Sequence, residues 1–176
     1  MVALPSRLEL ERLNQLKKNV PDIWEGKSVL YIGANAERFH YYDYLREKNC
    51  KVDVLEIDAE ACKYLRTLDL NSVIEGDVIT ARLFRYDIVF WSHGPELIFK
   101  GYFKYLVERL EKAASEMVVM MCPWGRYSYI TEELKHQKYP NIASLYKEDF
   151  KELGYETSTL GEKDVNGSNL LAWRMK

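Results

Sequence analysis

The chain has 176 residues, 47% of them hydrophobic and 30% charged, with a formal net charge of −2. Such a chain buries a core of its own, and it lacks the basic excess of a general polyanion binder. No apolar run approaches the ~20 residues that cross a bilayer, and the N-terminus has no apolar segment of signal-peptide length, so the expectation is a cytoplasmic protein with no membrane partner.

Three cysteines, Cys50, Cys62 and Cys122, lie far apart and form no CxxC pair, which argues against a disulfide framework or a zinc ribbon. The three histidines, His40, His93 and His136, have no partners at zinc spacing, so no metal site is expected. Asn166-Gly167-Ser168 matches a glycosylation sequon. Without a secretion signal it reads as a turn.

In chain order, Ser6 and Glu9 have capping-box spacing, and Leu8, Leu13, Leu16 and Val20 fall near one helical face. The pattern predicts an amphipathic helix over 6–19, ended before Pro21. The segments "SVLYIG", "KVDVLEID", "SVIEGD", "RYDIVFW" and "EMVVMMC" read as strands. Between them, "AERFHYYDYLREKN", "AEACKYLRTL" and "PELIFKGYFKYLVERLEKAA" read as helices, the last with Pro95 near its start. Alternation of this kind predicts a parallel sheet covered on both faces. The end breaks the rhythm. "YKEDFKELG" is a short helix, and "YETSTL" and "NLLAWRM" flank a turn containing Asn-Gly, which predicts an antiparallel hairpin. The whole chain, 1–176, reads as one domain with its core over about 27–176.

Ligands of open α/β sheets sit outside the carboxyl ends of the strands, where the strand order reverses. Gly33 ends the first strand, and a residue without Cβ lets backbone approach a ligand closely. Asn35 tolerates a bent backbone there. The three-glycine dinucleotide fingerprint is absent, and a cofactor without a pyrophosphate demands less of that turn. Glu56 ends the second strand about 20 residues further on, where a carboxylate accepts from both ribose hydroxyls. Asp58, two residues later, reads better as the cap of the next helix. Gly76 and Asp77 follow the third strand. An acid there suits an exocyclic adenine amine, and Gly-Asp is also ordinary turn chemistry.

In series, "VLYIGANAE", "VDVLEID", "IEGD" and the hairpin "YETSTL…NLLAWRM" resemble the class I S-adenosylmethionine-dependent methyltransferases, over most of residues 27–174. The resemblance implies an α/β three-layer sandwich around a doubly wound seven-stranded sheet, mostly parallel with a C-terminal antiparallel hairpin (a Rossmann-like methyltransferase fold). It implies S-adenosylmethionine as cofactor, with Gly33, Ala34 and Asn35 near its methionine part and Glu56 on the ribose. Gly76 and Asp77 would lie at the adenine, with Ile57 and Val78 packing by the ring. Asn35 stands where most members have a second glycine, and Tyr31 where many have an acid. "FWSHGPE" and "MCPWG" are similar to a small bacterial and archaeal subgroup with a Trp-x-His-x-Pro-Glu fourth-strand motif.

The fourth strand carries the candidate chemistry. His93 at its carboxyl end suits a general base, and Glu96 suits an orienting group or a reader of a substrate amine. Each also has a plain structural reading, His93 as a loop cap and Glu96 as an acid at a helix start. Trp91 and Trp124 offer aromatic walls for a sulfonium, or ordinary packing. The stretch from Cys122 to Ala143 is expected to form part of a substrate lid, with Arg126, Tyr127 and Tyr129 toward an anionic or phenolic acceptor. The N-terminal helix is a candidate to close the other side. The acceptor expected is a small molecule with a reacting oxygen or nitrogen, because a nucleic acid calls for a positive face. Two rivals stay open: a methyltransferase-like scaffold that binds without turnover, and a nicotinamide-dependent enzyme.

Overall fold

The computed structural model describes residues 6–34, 39–125, 143–165 and 167–176. Helix α1 spans Arg7–Asn19 and opens with the expected capping box, Ser6 Oγ accepting from the Glu9 N–H and the Glu9 carboxylate from the Ser6 N–H. Strand β1 (Ser28–Ile32) is followed by α2 (Phe39–Glu47), β2 (Lys51–Glu56), α3 (Ala59–Leu65) and β3 (Ser72–Glu75). Strand β4 (Tyr86–Ser92), α4 (Lys100–Ala113), β5 (Ala114–Cys122), α5 (Lys147–Lys151), β6 (Glu156–Leu160) and β7 (Asn169–Met175) complete the chain.

The seven strands form one sheet in the order β3-β2-β1-β4-β5-β7-β6. The first five run parallel, and β7 enters antiparallel to both β5 and β6. Alternation along each parallel strand divides the core. Val29 and Tyr31 of β1, Val54 of β2 and Phe90 of β4 pack with Leu16 of α1, Tyr41 and Leu45 of α2, and Leu65 of α3. Leu30, Leu55, Val89 and Trp91 face the other way, toward Phe103, Leu106 and Leu110 of α4 and Phe150 of α5. Strands buried on both faces read as continuous apolar runs, and this is the composition seen in β1, β4 and β5.

The segment over 95–114 differs from the single helix expected. Pro95–Leu97 makes one 3-10 turn, Ile98 is extended (φ −101°, ψ 135°), and α4 begins at Lys100. Ile98 joins the buried cluster that contains Trp91 and Val78. Burial of that side chain against tertiary neighbours outweighs one continuous run of local helical bonds. The hairpin forms as expected, its turn holding Gly161, Asp164 and Gly167 at φ of +75°, +61° and +82°. Gln15 of α1 fastens that hairpin, donating to Ser158 Oγ (3.4 Å) and accepting from Asn169 Nδ2 (2.8 Å). Among the described residues, no helix is long and apolar enough to cross a membrane.

Candidate active site

The chain leaves β1 toward β2 and β3 on one side and returns through β4 and β5 on the other, so the strand order reverses between β1 and β4. That reversal opens a crevice at the carboxyl edge. The turns above it are set by backbone bonds from each strand end to its neighbour. Gly33 donates its N–H to Leu55 O at 3.0 Å, Gly76 donates to Glu56 O at 2.9 Å, and His93 donates to Met121 O at 2.7 Å. Gly76, Glu56, Gly33 and His93 therefore follow one another along this edge.

Gly33 has φ +76°, a conformation that side chains rarely adopt, which explains the lone glycine. Ala34 beside it is buried. Asn35 lies outside the described residues. Glu56 is buried at the end of β2, and its Oε1 accepts the Asp58 N–H at 2.8 Å. Asp58 caps α3, accepting from the N–H groups of Glu60 (2.8 Å) and Ala61 (3.3 Å). Ile57, between them, is 47% exposed. Asp77 Oδ1 accepts the Ile79 N–H at 2.8 Å, forming the Asx turn that Gly-Asp suggested, and Val78 is buried in the core cluster with Leu55 and Trp91.

At β4, His93 has φ +52°, an uncommon conformation for a residue with a side chain, held by its backbone bond to Met121. Its Nδ1 lies 3.4 Å from Oε1 of Glu96, and both side chains are buried. Glu96 Oε2 is buried and has no hydrogen-bond partner among the described residues. Cys122 sits nearby at the end of β5. Burial first, and then the Glu96 carboxylate, push its thiol well above the usual range.

The aromatic walls divide. Trp91 is 1% exposed and packs into the α4-facing core. Trp124 is half-buried beneath Lys147, whose Nζ stands 4.8 Å from the ring centroid, and its carbonyl accepts from the Asp164 N–H at 3.0 Å. The expected lid is described only at its ends, where Gly125 donates to Leu145 O and Ala143 donates to Glu96 O. Arg126, Tyr127 and Tyr129 lie outside the described residues. Helix α1 spends its apolar face on the core, while its first turn reaches the β6–β7 turn, where a Cβ built on Gly167 would meet Leu8 at 3.4 Å. Among the described residues, no group of three His, Cys, Asp or Glu side chains could hold a metal ion.

Two residues that shape this edge were not singled out by sequence. Gly94 lies against Trp91 so closely that a Cβ would stand 1.9 Å from the indole Nε1. A glycine directly after a strand-end histidine was the available signal. Arg109 of α4 donates to the carbonyls of Val78 (3.0 Å), Ile79 and Ala81 (2.6 Å), which fixes the loop after Asp77. No sequence pattern links a helical arginine to a loop about 30 positions earlier.

No protein-family model matches the chain. No curated protein matches it by sequence. Solved structures match its fold. The N-methyltransferase NodS from Bradyrhizobium japonicum WM9, in complex with S-adenosyl-L-homocysteine, aligns over 97% of this chain and 88% of its own at a TM-score of 0.69 and 14% identity. The magnesium protoporphyrin IX methyltransferase from Synechocystis PCC 6803 with bound SAH covers 96% and 81%, at 0.65 and 9%. A protein from Rhodobacter sphaeroides, provisionally named as a Zn-dependent alcohol dehydrogenase, covers 99% and 92%, at 0.63 and 12%. The chain thus has the Rossmann-like fold of the class I methyltransferases, a seven-stranded, mostly parallel sheet closed by an antiparallel hairpin. At such identities the likeness extends to the fold, and a fold does not fix an activity.

Proposed function

We propose that the chain is an S-adenosylmethionine-dependent methyltransferase acting on a small-molecule oxygen or nitrogen acceptor. The observation that carries this reading is the buried Glu56 carboxylate at the tip of β2, beside the Gly33 turn and next to the exposed Ile57. A carboxylate has about four lone-pair sites, so the Asp58 N–H on Oε1 is compatible with a ribose hydroxyl donor on the same carboxylate. An apolar side chain exposed at that edge suits the face of an adenine ring. The pocket chemistry therefore fits the cofactor.

When bound, S-adenosylmethionine supplies an electrophilic methyl group on a sulfonium. The chain's own residues have the remaining work. Glu56 anchors the ribose and so fixes the donor along the edge. Asp77 holds its loop through Ile79, with Gly76 keeping the approach open and Val78 backing it from the core. Gly33 and Ala34 turn the backbone around the methionine part, to which Asn35 is also assigned. His93, at the β4 side of the crevice, accepts a proton from the acceptor as it reacts. Glu96 orients the His93 ring from Nδ1. Methyl transfer is an in-line displacement, and alignment of donor and acceptor supplies much of its acceleration. Trp91 braces the β4 turn from beneath, and Trp124, Arg126 and Tyr127 are assigned to the acceptor side.

Calorimetric titration with S-adenosylhomocysteine tests the reading. The parent protein should bind with a dissociation constant on the order of micromolar, and Glu56→Ala should weaken this by at least about 30-fold while remaining folded by circular dichroism. Absence of heat at about 1 mM ligand would instead favour the scaffold without turnover. A parent that binds NADH, followed by its fluorescence, and not S-adenosylhomocysteine would favour the nicotinamide reading.

A further inference from the structure

A second concave site lies at the opposite edge of the sheet. It is a groove of about 470 Å³ between the segment leading into β4 and the last turns of α4, near the first residues of β4 and β5. Arg82, Arg85, Arg109 and Lys112 line it, over a floor that includes Leu83, and Phe84 stands at the groove 56% exposed. None of the four cations pairs with a carboxylate among the described residues.

Part of this charge has an internal use. Lys112 in the last turn of α4 complements the negative end of the helix dipole. Arg109 holds the loop carbonyls after Asp77. Arg82 and Arg85 come from a different segment and have no such role. Arg82 lies 5.2 Å from the centroid of the Phe84 ring, so the phenyl and a guanidinium are presented together. Four like charges around one groove repel each other, and the net charge of −2 makes the local excess more distinctive. A bound anion relieves that repulsion. Guanidinium forks match phosphate oxygens, and a phosphate monoester carries about −1.5 to −2 at neutral pH, which suits several cations better than a monoanion.

We propose that this groove binds a small aromatic phosphate monoester, with the phosphate among Arg82, Arg85 and Lys112 and the ring against Phe84. The site is separate from the carboxyl-edge crevice and does not rest on the proposed methyl transfer. Arg109 is the physical link between the two, since it borders the groove and holds the loop that carries Asp77.

Amide NMR of the full chain tests this, with phenyl phosphate as the probe and inorganic phosphate, phenol and a single-stranded oligonucleotide as comparisons. Phenyl phosphate should shift the amides of Arg82 to Arg85 and Lys112 saturably, with a dissociation constant of about 1 mM or tighter. Inorganic phosphate should bind at least about threefold more weakly, and phenol should not saturate. The exposed double variant Arg82→Ser/Arg85→Ser should lose about tenfold or more in affinity, with circular dichroism unchanged. The proposal is overturned by an absence of saturation at about 20 mM phenyl phosphate, by shifts confined to the carboxyl edge, or by equal affinity in the double variant. Equal affinity for inorganic phosphate would remove the aromatic part of the ligand. An oligonucleotide binding these residues more than about tenfold tighter would replace the small molecule with a nucleic acid.

Discussion

Nδ1 of His93 and Oε1 of Glu96 lie 3.4 Å apart, buried together at the carboxyl end of β4. An unpaired carboxylate is costly when buried, so each partner's worth depends on the other. His93→Ala should lower the unfolding free energy by about 2–3 kcal/mol, and much less when Glu96→Gln is also present. Urea denaturation of the two single variants and the double variant measures the coupling. Strict additivity would show that the pair is only adjacent. Once an acceptor is known, His93→Ala should keep its affinity for S-adenosylhomocysteine and lose about 100-fold or more in kcat. A parent-like rate would exclude the base role.

Gly94 and Trp91 make a second pair in which one residue occupies the space of the other. Gly94→Ala would set a Cβ within 1.9 Å of the Trp91 Nε1, and Trp91 is buried too fully to move without repacking. We expect a loss of about 1–3 kcal/mol and an altered near-ultraviolet circular dichroism spectrum. Combining it with Trp91→Leu should recover part of the loss, because the colliding indole is gone. A fully stable Gly94→Ala with an unchanged spectrum would contradict this packing.

Arg109 acts on the edge from a distance, through the carbonyls of Val78, Ile79 and Ala81. Arg109→Met keeps the stem and removes the donors. Amide hydrogen exchange over 77–81 should accelerate by about tenfold or more, and affinity for S-adenosylhomocysteine should fall with it. Unchanged exchange would mean that the loop is held by its own Asx turn alone.

Asp87 ties the start of β4 to β1. Its Oδ2 accepts from the Ser28 N–H (2.9 Å) and the Ser28 hydroxyl (2.8 Å), and these bonds, the backbone one first, hold its carboxyl below the usual range. A carboxyl depressed by folding stabilises the native state above its unfolded pKa of about 3.9, and that contribution is lost as pH falls through the lower folded value. Asp87→Asn should therefore melt below the parent at pH 7, and the gap should narrow below about pH 4. Melting temperatures across that range give the answer; a constant gap would remove the ionised carboxylate as the cause.

The cysteines should be inert at neutral pH. Burial raises the Cys50 thiol to about 11, and its Sγ donates to Trp24 O at 3.1 Å. Burial also raises Cys62 and Cys122. A thiol-specific chromogen at about pH 8 should react slowly with native protein and with all three thiols after denaturation. Rapid native labelling would show that one thiol is more open than this packing allows.

Much of this architecture is written in short-range patterns. The capping box at Ser6, the cap at Asp58 and the Asx turn at Asp77 involve partners within a few positions, and the left-handed φ at Gly33 belongs to one residue, so residue type and spacing reveal them. Apolar runs between helical periods also announced the parallel sheet, because strands covered on both faces need apolar side chains throughout. The split of 95–114 at Ile98 was hidden, since its cause is burial among Trp91 and Val78 rather than any local preference. For Trp91 the sequence left wall and ordinary packing both open, and burial at 1% exposure places it in the core.

Strand and helix alternation, the terminal hairpin and the order of turns along the carboxyl edge thus follow from residue order, because periodicity and capping are local chemistry. Folding in three dimensions is what buries Glu56 beside the Gly33 turn, requires Gly94 to lack a side chain, lets Arg109 hold a loop from another element, and brings Arg82 and Arg85 into one groove with Lys112. Those relationships join residues brought together by packing, and sequence spacing carries no record of such distances.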